Sequence, residues 1–479
     1  MMAVQDIMSL LPMLILAGGV LLTMILIAAK RNHILTLAST LIFLAASFAS
    51  IFFIKPGQPH GIGDIFLIDH FGLYYQALIL ATTFVIAVFS YICLESFFPE
   101  KRKEEFYLLL MLATLGSAMM VVSTHFISFF VSLETLTISL YTLISYYKQR
   151  TKAIEAGLKY LILAAMSSSF LLFGMALIYA VSGEMSFIGL SALLPAMSGV
   201  PLIMLLAGIG MMIVGIGFKL AVVPFHIWAP DVYEGASAPA TAFIATVSKG
   251  SIVALLLRFF MMANLYQYGK IMLAFTIISI LSMLIGNLLA LVQNNVKRIL
   301  AYSSIAHFGY LLVAFIAGKG MGTQAATFYL TTYTVTILGA FGMITIIPQS
   351  DDEATDIENY KGLFWRRPFL AAFFTVFLLS LAGIPLTAGF IGKYFLLTAG
   401  LGKEQWGLAF VLIISSVIGL FYYLRLIISM MQQEIETKRI IRLSDFSIAG
   451  GLILGTLALL VVCIGIWPDW LLDLINKLS

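Results

Sequence analysis

The stretch "GFKLAVVPFH", residues 217–226, lies inside a long apolar run yet carries Lys219, Pro224 and His226. A lysine at the centre of a membrane helix costs about 2.5–3.5 kcal/mol, so the first question is whether this stretch lies in lipid. Of 479 residues, 61% are hydrophobic and only 10% charged, with a mean hydropathy of +1.04. That leaves too little polar surface to cover a soluble globule of this size, and the chain is expected to be an integral membrane protein. The net charge of +4 gives no reason to expect a nucleic-acid partner, because here the placement of the positive residues matters more than their sum.

Apolar stretches able to cross ~30 Å of hydrocarbon at about 1.5 Å per residue number fourteen, from 10–29 to 448–467. The first lacks a small-residue cleavage site and reads as a retained span rather than a signal peptide. The loops test this division, since lysine and arginine should alternate from rich to poor. One side collects sixteen, from Lys30 and Arg31 through Lys101, Arg102 and Lys103 to Lys438, Arg439 and Arg442; the other has five, Lys55, Lys270, Lys319, Lys403 and Lys477. The termini are therefore expected on the non-cytoplasmic side of a plasma (inner) membrane. The loop "PDVYEG", 230–235, breaks the rule with two acids and no base, which marks it for function or burial.

Six basic residues then fall inside spans: Lys159, Lys219, Lys249, Arg258, Lys393 and Arg425. Arg258 and Arg425 lie within about a turn of a span end, where long side chains reach the headgroups, and snorkelling is the expected reading. Lys159 is one to two turns from an end and is open to either reading. Lys249 is roughly 15 Å deep, near the midplane. Lys219, Lys249 and Lys393 together cost on the order of 8–10 kcal/mol, comparable to the stability of a whole domain. Glu134 is the one acid well inside a span, and Lys219 or Lys249 is its expected partner. Burial disfavours the charged form of an amine and a nearby carboxylate favours it. Varying that separation loads or unloads the amine, which is the elementary act of a proton relay; the alternative is a static pair that pins helices.

The stretches 201–228 and 369–399 would be about 42 and 46 Å long as straight helices. Both are interrupted, the first by a glycine series and Pro224, the second by Gly383, Pro385, Gly389 and Gly392 around Lys393. Such spans at matching positions point to discontinuous helices beside a transport path. Five crossings separate them, so equivalent units would be inverted. The glycines of "GIGMMIVGIG" have no strand before them and read as close helix packing, not a dinucleotide fingerprint. The expected fold is an all-α integral membrane protein of about fourteen transmembrane helices, with two inverted five-helix repeats and broken helices at spans seven and twelve. Residues 1–100 hold the first three spans, 101–265 and 266–430 the two repeats, and 431–479 the last span. His226 and His307 are placed to shuttle protons, or to serve as hydrogen-bonded structural residues. Cys93 and Cys463 form no CxxC, and no cofactor or metal is expected in this chain.

Five motifs carry a resemblance: "FFVSLETLTISLYTLISY", "GLKYLILAAMSSSFLLFG", "GFKLAVVPFHIWAPDVYEGASAPATAFIATVSK", "QNNVKRILAYSSIAHFGYLL" and "SLAGIPLTAGFIGKYFLL". In order and spacing they resemble the N-type branch of the antiporter-like membrane subunits of respiratory complex I, NADH:quinone oxidoreductase, over about residues 105–400. The resemblance implies a proton-translocating module in which Glu134 pairs with Lys219, Lys249 is the middle lysine, Lys393 the exit-side lysine and Lys159 an additional one. It also implies that NADH, FMN, iron-sulfur clusters and quinone belong to partner subunits. The partners it implies are the L- and M-type membrane subunits and small membrane subunits. Two rival readings use the same residues: a cation/proton antiporter subunit of the Mrp kind, for which a single deep carboxylate is few, and the equivalent subunit of a ferredoxin-dependent relative.

Overall fold

The computed structural model describes residues 4–54, 59–97, 102–349, 352–433 and 447–478. Lys55, Lys101, Lys438, Arg439 and Arg442 lie outside the described residues. Helices dominate, with two short two-stranded pairings, His60–Ile62 with Phe66–Ile68 and Pro348–Gln349 with Asp352–Glu353. Among the described residues, twelve helices are long and apolar enough to cross a membrane. The other two expected stretches fall on a shorter helix, Glu105–Met120, and on the pair Pro368–Ala382 and Ala388–Leu401.

Local chemistry sets many of the boundaries. Asn32 and Asn295 accept the N–H of Leu35 and Arg298 at 3.0 and 3.1 Å, and Ser186 accepts that of Gly189 at 3.0 Å. Each satisfies a donor that the first helical turn leaves open. Gly183, at φ 67°, ends the long helix Thr151–Ser182 in the left-handed conformation. That helix lies against Gly199–Leu220 closely enough that a Cβ on Gly174 would stand 2.5 Å from the carbonyl oxygen of Gly208, so the glycines do serve close packing.

Burial separates an inner group from an outer one. The most apolar windows of Ala238–Met262, Val296–Ala317 and Met321–Ile346 are 94–100% buried, whereas those of Thr151–Ser182, Gly199–Leu220 and Trp406–Met431 are 39% buried. The outer helices present Leu172, Phe173, Phe410 and Val417 outward, as lipid-facing surfaces require. Everything polar that the inner helices carry must find its partners within the protein.

Both expected breaks are present. Gly199–Leu220 ends at Ala221 (φ 57°), and a short helix, Trp228–Gly235, follows after seven non-helical residues, 221–227. Pro368–Ala382 ends at Gly383 (φ 85°), Leu386 takes φ 70°, and the chain becomes helical again at Ala388. Helices 105–120, 126–144, 151–182, 199–220 and 238–262 follow the same order of whole and broken elements as 269–291, 296–317, 321–346, 368–401 and 406–431.

The base-rich loops gather at one end. Arg31 meets Glu105 at 2.7 Å, Lys103 meets Glu95 at 3.1 Å, and the Tyr146 hydroxyl donates to the Arg102 carbonyl at 2.8 Å. One of the two snorkelling expectations fails here. Arg258 does not snorkel: it is 2% exposed and its two terminal nitrogens donate to Asp69 at 2.7 and 3.0 Å. Its Nε donates to the Val121 carbonyl at 3.0 Å. Asp69 also accepts the Gly72 N–H at 2.7 Å, at the start of helix His70–Phe97, so a helix-capping carboxylate supplies the counter-charge. Arg425 instead donates to the carbonyls of Leu291, at 3.2 Å, and Gln293, at the end of helix Gly269–Leu291. Those carbonyls lack an intrahelical partner, and a cation suits that end of the dipole.

Candidate functional site

Glu134 lies on helix Phe126–Ile144 and accepts a hydrogen bond from the Ser168 hydroxyl at 2.6 Å. Lys219, 4% exposed and in the last turn before the first break, donates to Thr137 Oγ1 at 2.8 Å, with its ammonium 5.9 Å from the centre of the Tyr160 ring. Thr137 is three residues after Glu134, so the carboxylate and the hydroxyl share a helix face. Glu134 is also the carboxylate whose charge acts on Lys219. No ion pair joins Glu134 to Lys219 or Lys249 among the described residues; of the two candidate lysines, Lys219 is the one that reaches the helix of Glu134, at Thr137 one turn away.

Lys249 is 0% exposed and follows directly on a five-residue π-helical stretch, Ile244–Ser248. Such wide turns are frequent at functional sites. Its Nζ donates to Ser304 at 2.9 Å and stands 4.7 Å from the Phe308 ring and 5.5 Å from that of Tyr233. Ser304 also accepts the Tyr333 hydroxyl at 2.8 Å. One turn further along the same helix, His307 meets the Tyr329 hydroxyl at 2.6 Å through Nδ1 and that of Tyr423 at 3.2 Å through Nε2. Tyr310, one more turn on, presents its ring 5.2 Å from Lys393 Nζ. Ser304, His307 and Tyr310, at intervals of three, thus form a polar ridge on one helix between Lys249 and Lys393.

Lys393 uses the second break. Its Nζ donates to the carbonyls of Leu381 and Ala382 at 3.0 and 2.9 Å and to Ser416 at 2.8 Å. The two carbonyls are the unpaired acceptors at the end of a half-helix, where the dipole favours positive charge. Gly383 allows this approach: it has a left-handed backbone, and a Cβ there would meet Lys393 Cδ at 2.8 Å.

The acids of "PDVYEG" are paired. Asp231 meets Lys159 and Arg298, each at 2.8 Å; Glu234 meets Lys152 at 2.8 Å and Arg298 at 2.9 Å; Glu155 meets Lys159 at 2.7 Å. Burial by itself would raise the Asp231 and Glu234 carboxyls. Their bonds to Lys159, Lys152 and Arg298 outweigh it and hold both below the ordinary carboxylate range. Lys159 therefore belongs to an ion network at the base-rich end, and His226, half-buried, has no hydrogen-bond partner for Nδ1. Neither forms a hydrogen bond or ion pair with Lys219, Lys249 or Lys393 among the described residues.

Sequence reasoning missed the hydroxyl partners and one further pair. Lys297, counted as a loop base, is 1% exposed and stands 2.5 Å from Glu353, itself 2% exposed. No group of three or more histidine, cysteine or acidic side chains suited to a metal occurs among the described residues, and both cysteines are free thiols.

Residues 123–419 match the family described as NADH:quinone oxidoreductase/Mrp antiporter, transmembrane. NADH-quinone oxidoreductase subunit N of Ectopseudomonas mendocina is 43% identical over 480 residues, covering 99% of this chain and 96% of that one. A chain of respiratory complex I from Thermus thermophilus, solved with bound aureothin, superposes with a TM-score of 0.83 at 30% identity, covering 98% of this chain and 100% of that one. A chain of the Mrp complex from Dietzia sp. DQ12-45-1b shares the fold alone, with a TM-score of 0.84 at 21% identity over 99% of this chain and 97% of that one. With buried lysines at both helix breaks and these similarities across nearly its whole length, the chain belongs to the NADH:quinone oxidoreductase/Mrp antiporter family of membrane proteins, in its subunit N branch.

Proposed function

We propose that this chain is a proton-translocating subunit of an NADH:quinone oxidoreductase and contributes no redox group of its own. NADH, FMN, iron-sulfur clusters and quinone then reside in partner subunits, and this chain sits beside L- and M-type and smaller membrane subunits in a bacterial inner membrane. Both termini face the non-cytoplasmic side, as the bias of sixteen basic residues against five supports. Residues 101–265 and 266–430 act as two half-channels.

The observation that carries this reading is the ridge Ser304, His307, Tyr310, which places groups that accept and donate protons between two buried ammonium groups, Lys249 and Lys393. Quinone reduction elsewhere changes the charge state at Glu134 and Lys219. The changed field alters how readily Lys249 holds its proton, which passes along the ridge to Lys393 and out, with Lys159 and His226 at the periphery. A lysine left without its field partner loses the ability to cycle. The test is Glu134→Gln and Lys219→Ala in the assembled complex, reading quinone-coupled proton uptake in vesicles. Uptake per complex is expected to fall severalfold or more in each. Normal assembly with uptake at the full rate in both would leave only a passive structural role.

A further inference from the structure

We propose that Glu353 is a positioning residue for proton translocation: held by Lys297, its carboxylate caps in trans the helix that carries Lys249, and so fixes where that lysine sits between the two half-channels. The inference rests on the proton-translocation reading above.

Helix Ala238–Phe243 runs through the π-helical stretch into Lys249–Met262, and its own N-cap residue, Ser237, makes no side-chain capping bond. The Ser237 hydroxyl is buried without a partner. The open donor at Ala238 is taken instead by Glu353 Oε1, at 2.7 Å and from 115 residues away. A carboxylate suits that end of a helix, both as acceptor and against the dipole. Glu353 Oε2 accepts from Lys297 Nζ at 2.5 Å. The same ammonium donates to the Ala236 carbonyl at 2.6 Å and to that of Glu234 at 3.4 Å. The Cys93 thiol donates to Oε1 at 3.7 Å and meets the Tyr147 hydroxyl at 3.1 Å.

Glu353 and Lys297 together thus join four parts of the fold: the carboxylate ties helix 70–97 through Cys93 and the Lys249 helix through Ala238 to Lys297 of helix 296–317, and the ammonium ties on the carbonyls of Glu234 and Ala236, after the first broken span. Of these, the Lys249 helix and helix 296–317 carry Lys249 and its hydroxyl partner Ser304. Ten residues lie between Ala238 and Lys249, and they include the π turn, a wide turn of the kind frequent at functional sites. A fixed cap at one end therefore sets the placement of Lys249 against Ser304. A buried pair that served only as glue would need the charges but not the Ala238 bond.

Three variants of the intact complex in vesicles separate these roles, each normalised to assembled complex: Glu353→Gln, Glu353→Asp, and the exchange of Glu353→Lys with Lys297→Glu. Glu353→Gln turns an amide donor toward the ammonium. Glu353→Asp is too short to hold both Lys297 and Ala238. The exchange keeps a pair but points a cation at the Ala238 N–H. Protons taken up per electron are expected to fall on the order of tenfold in Glu353→Gln and severalfold in the other two, within the range for positions coupled to a site without touching its ligand. Lys249→Ala is measured alongside. Wild-type uptake per electron in Glu353→Gln and Glu353→Asp, or full rescue by the exchange, overturns the capping role while loss in Lys249→Ala leaves the function standing. Wild-type uptake in Lys249→Ala overturns the function itself.

Discussion

Two buried sites solve the same problem differently: the first helix break beside Glu134, and the inner path from Lys249 to Lys393. In the first, Lys219 is buried beside a carboxylate: Glu134 lies one turn from the hydroxyl that Lys219 holds, and its charge acts on the lysine. In the second, Lys249 and Lys393 have neutral partners only: hydroxyls, ring faces and, for Lys393, two half-helix carbonyls. An ammonium stabilised by dipoles has no fixed counter-charge to lose, so its protonation follows the surrounding field. One lysine beside a carboxylate and two without one give a direction: the first is where a remote event can write charge, and the others are where it can be read.

The sharpest way to break this contrast is to neutralise the unpaired lysines. Lys249→Met and Lys393→Met should assemble, because replacing a buried charge that lacks an ionic partner with an apolar group of similar length adds no unpaired ion. Each should lower quinone-coupled proton uptake about a hundredfold, within the range for loss of a proton-transfer group. Uptake above half the wild-type level in either would remove that lysine from the path. Asp69→Asn should do the opposite. It strands Arg258, a residue only 2% exposed, and should destabilise the protein by about 3–5 kcal/mol, read as a lower unfolding temperature in detergent, with uptake per surviving complex unchanged. If uptake falls and stability holds, Arg258 belongs to the path and not to the scaffold.

A double-mutant cycle of Glu134→Gln with Lys219→Met tests which lysine answers to the carboxylate. Coupling on the order of 1 kcal/mol is expected for that pair, and within about 0.5 kcal/mol of additivity for Glu134→Gln with Lys249→Met. The measurement is unfolding free energy of the purified protein, and equal coupling in both cycles would contradict the geometry.

Much of this contrast was legible in the sequence. Glu134, Lys219, Lys249 and Lys393 stand out because a charge inside an apolar run is costly, and both breaks show as spans too long and too rich in glycine and proline. What was not legible has a common cause. Ser168, Thr137 and Ser416 are hydroxyls, common in membrane helices, and become partners only once helices far apart in sequence are packed. Arg258 and Lys297 were misread because hydropathy treats a span end as wet. Here those ends lie under other loops, and Asp69 and Glu353 come from segments that no local pattern ties to them. Ser304, His307 and Tyr310 were an intermediate case: their spacing of three was visible, but its meaning needed Lys249 on one side and Lys393 on the other.

The smallest expected effect concerns the ion network at the base-rich end, where Arg298 joins Asp231 and Glu234 to the helix that carries Ser304. Asp231 and Glu234 lose their protons more readily when folded than when unfolded. Their contribution is therefore fully present above the unfolded carboxyl values, near pH 4, and is lost as pH falls through the lower folded values. These side chains are 19–35% exposed, so solvent screens the network and its worth is on the order of 1 kcal/mol or less. Asp231→Asn should lower the unfolding temperature slightly at pH 7, and the gap from wild type should close below about pH 4, where the wild-type carboxyl also carries its proton. A gap that persists unchanged into acid would mean that Asp231 acts through packing. The contrast would then be simpler, with charge used for transport at the midplane and only for shape at the membrane face.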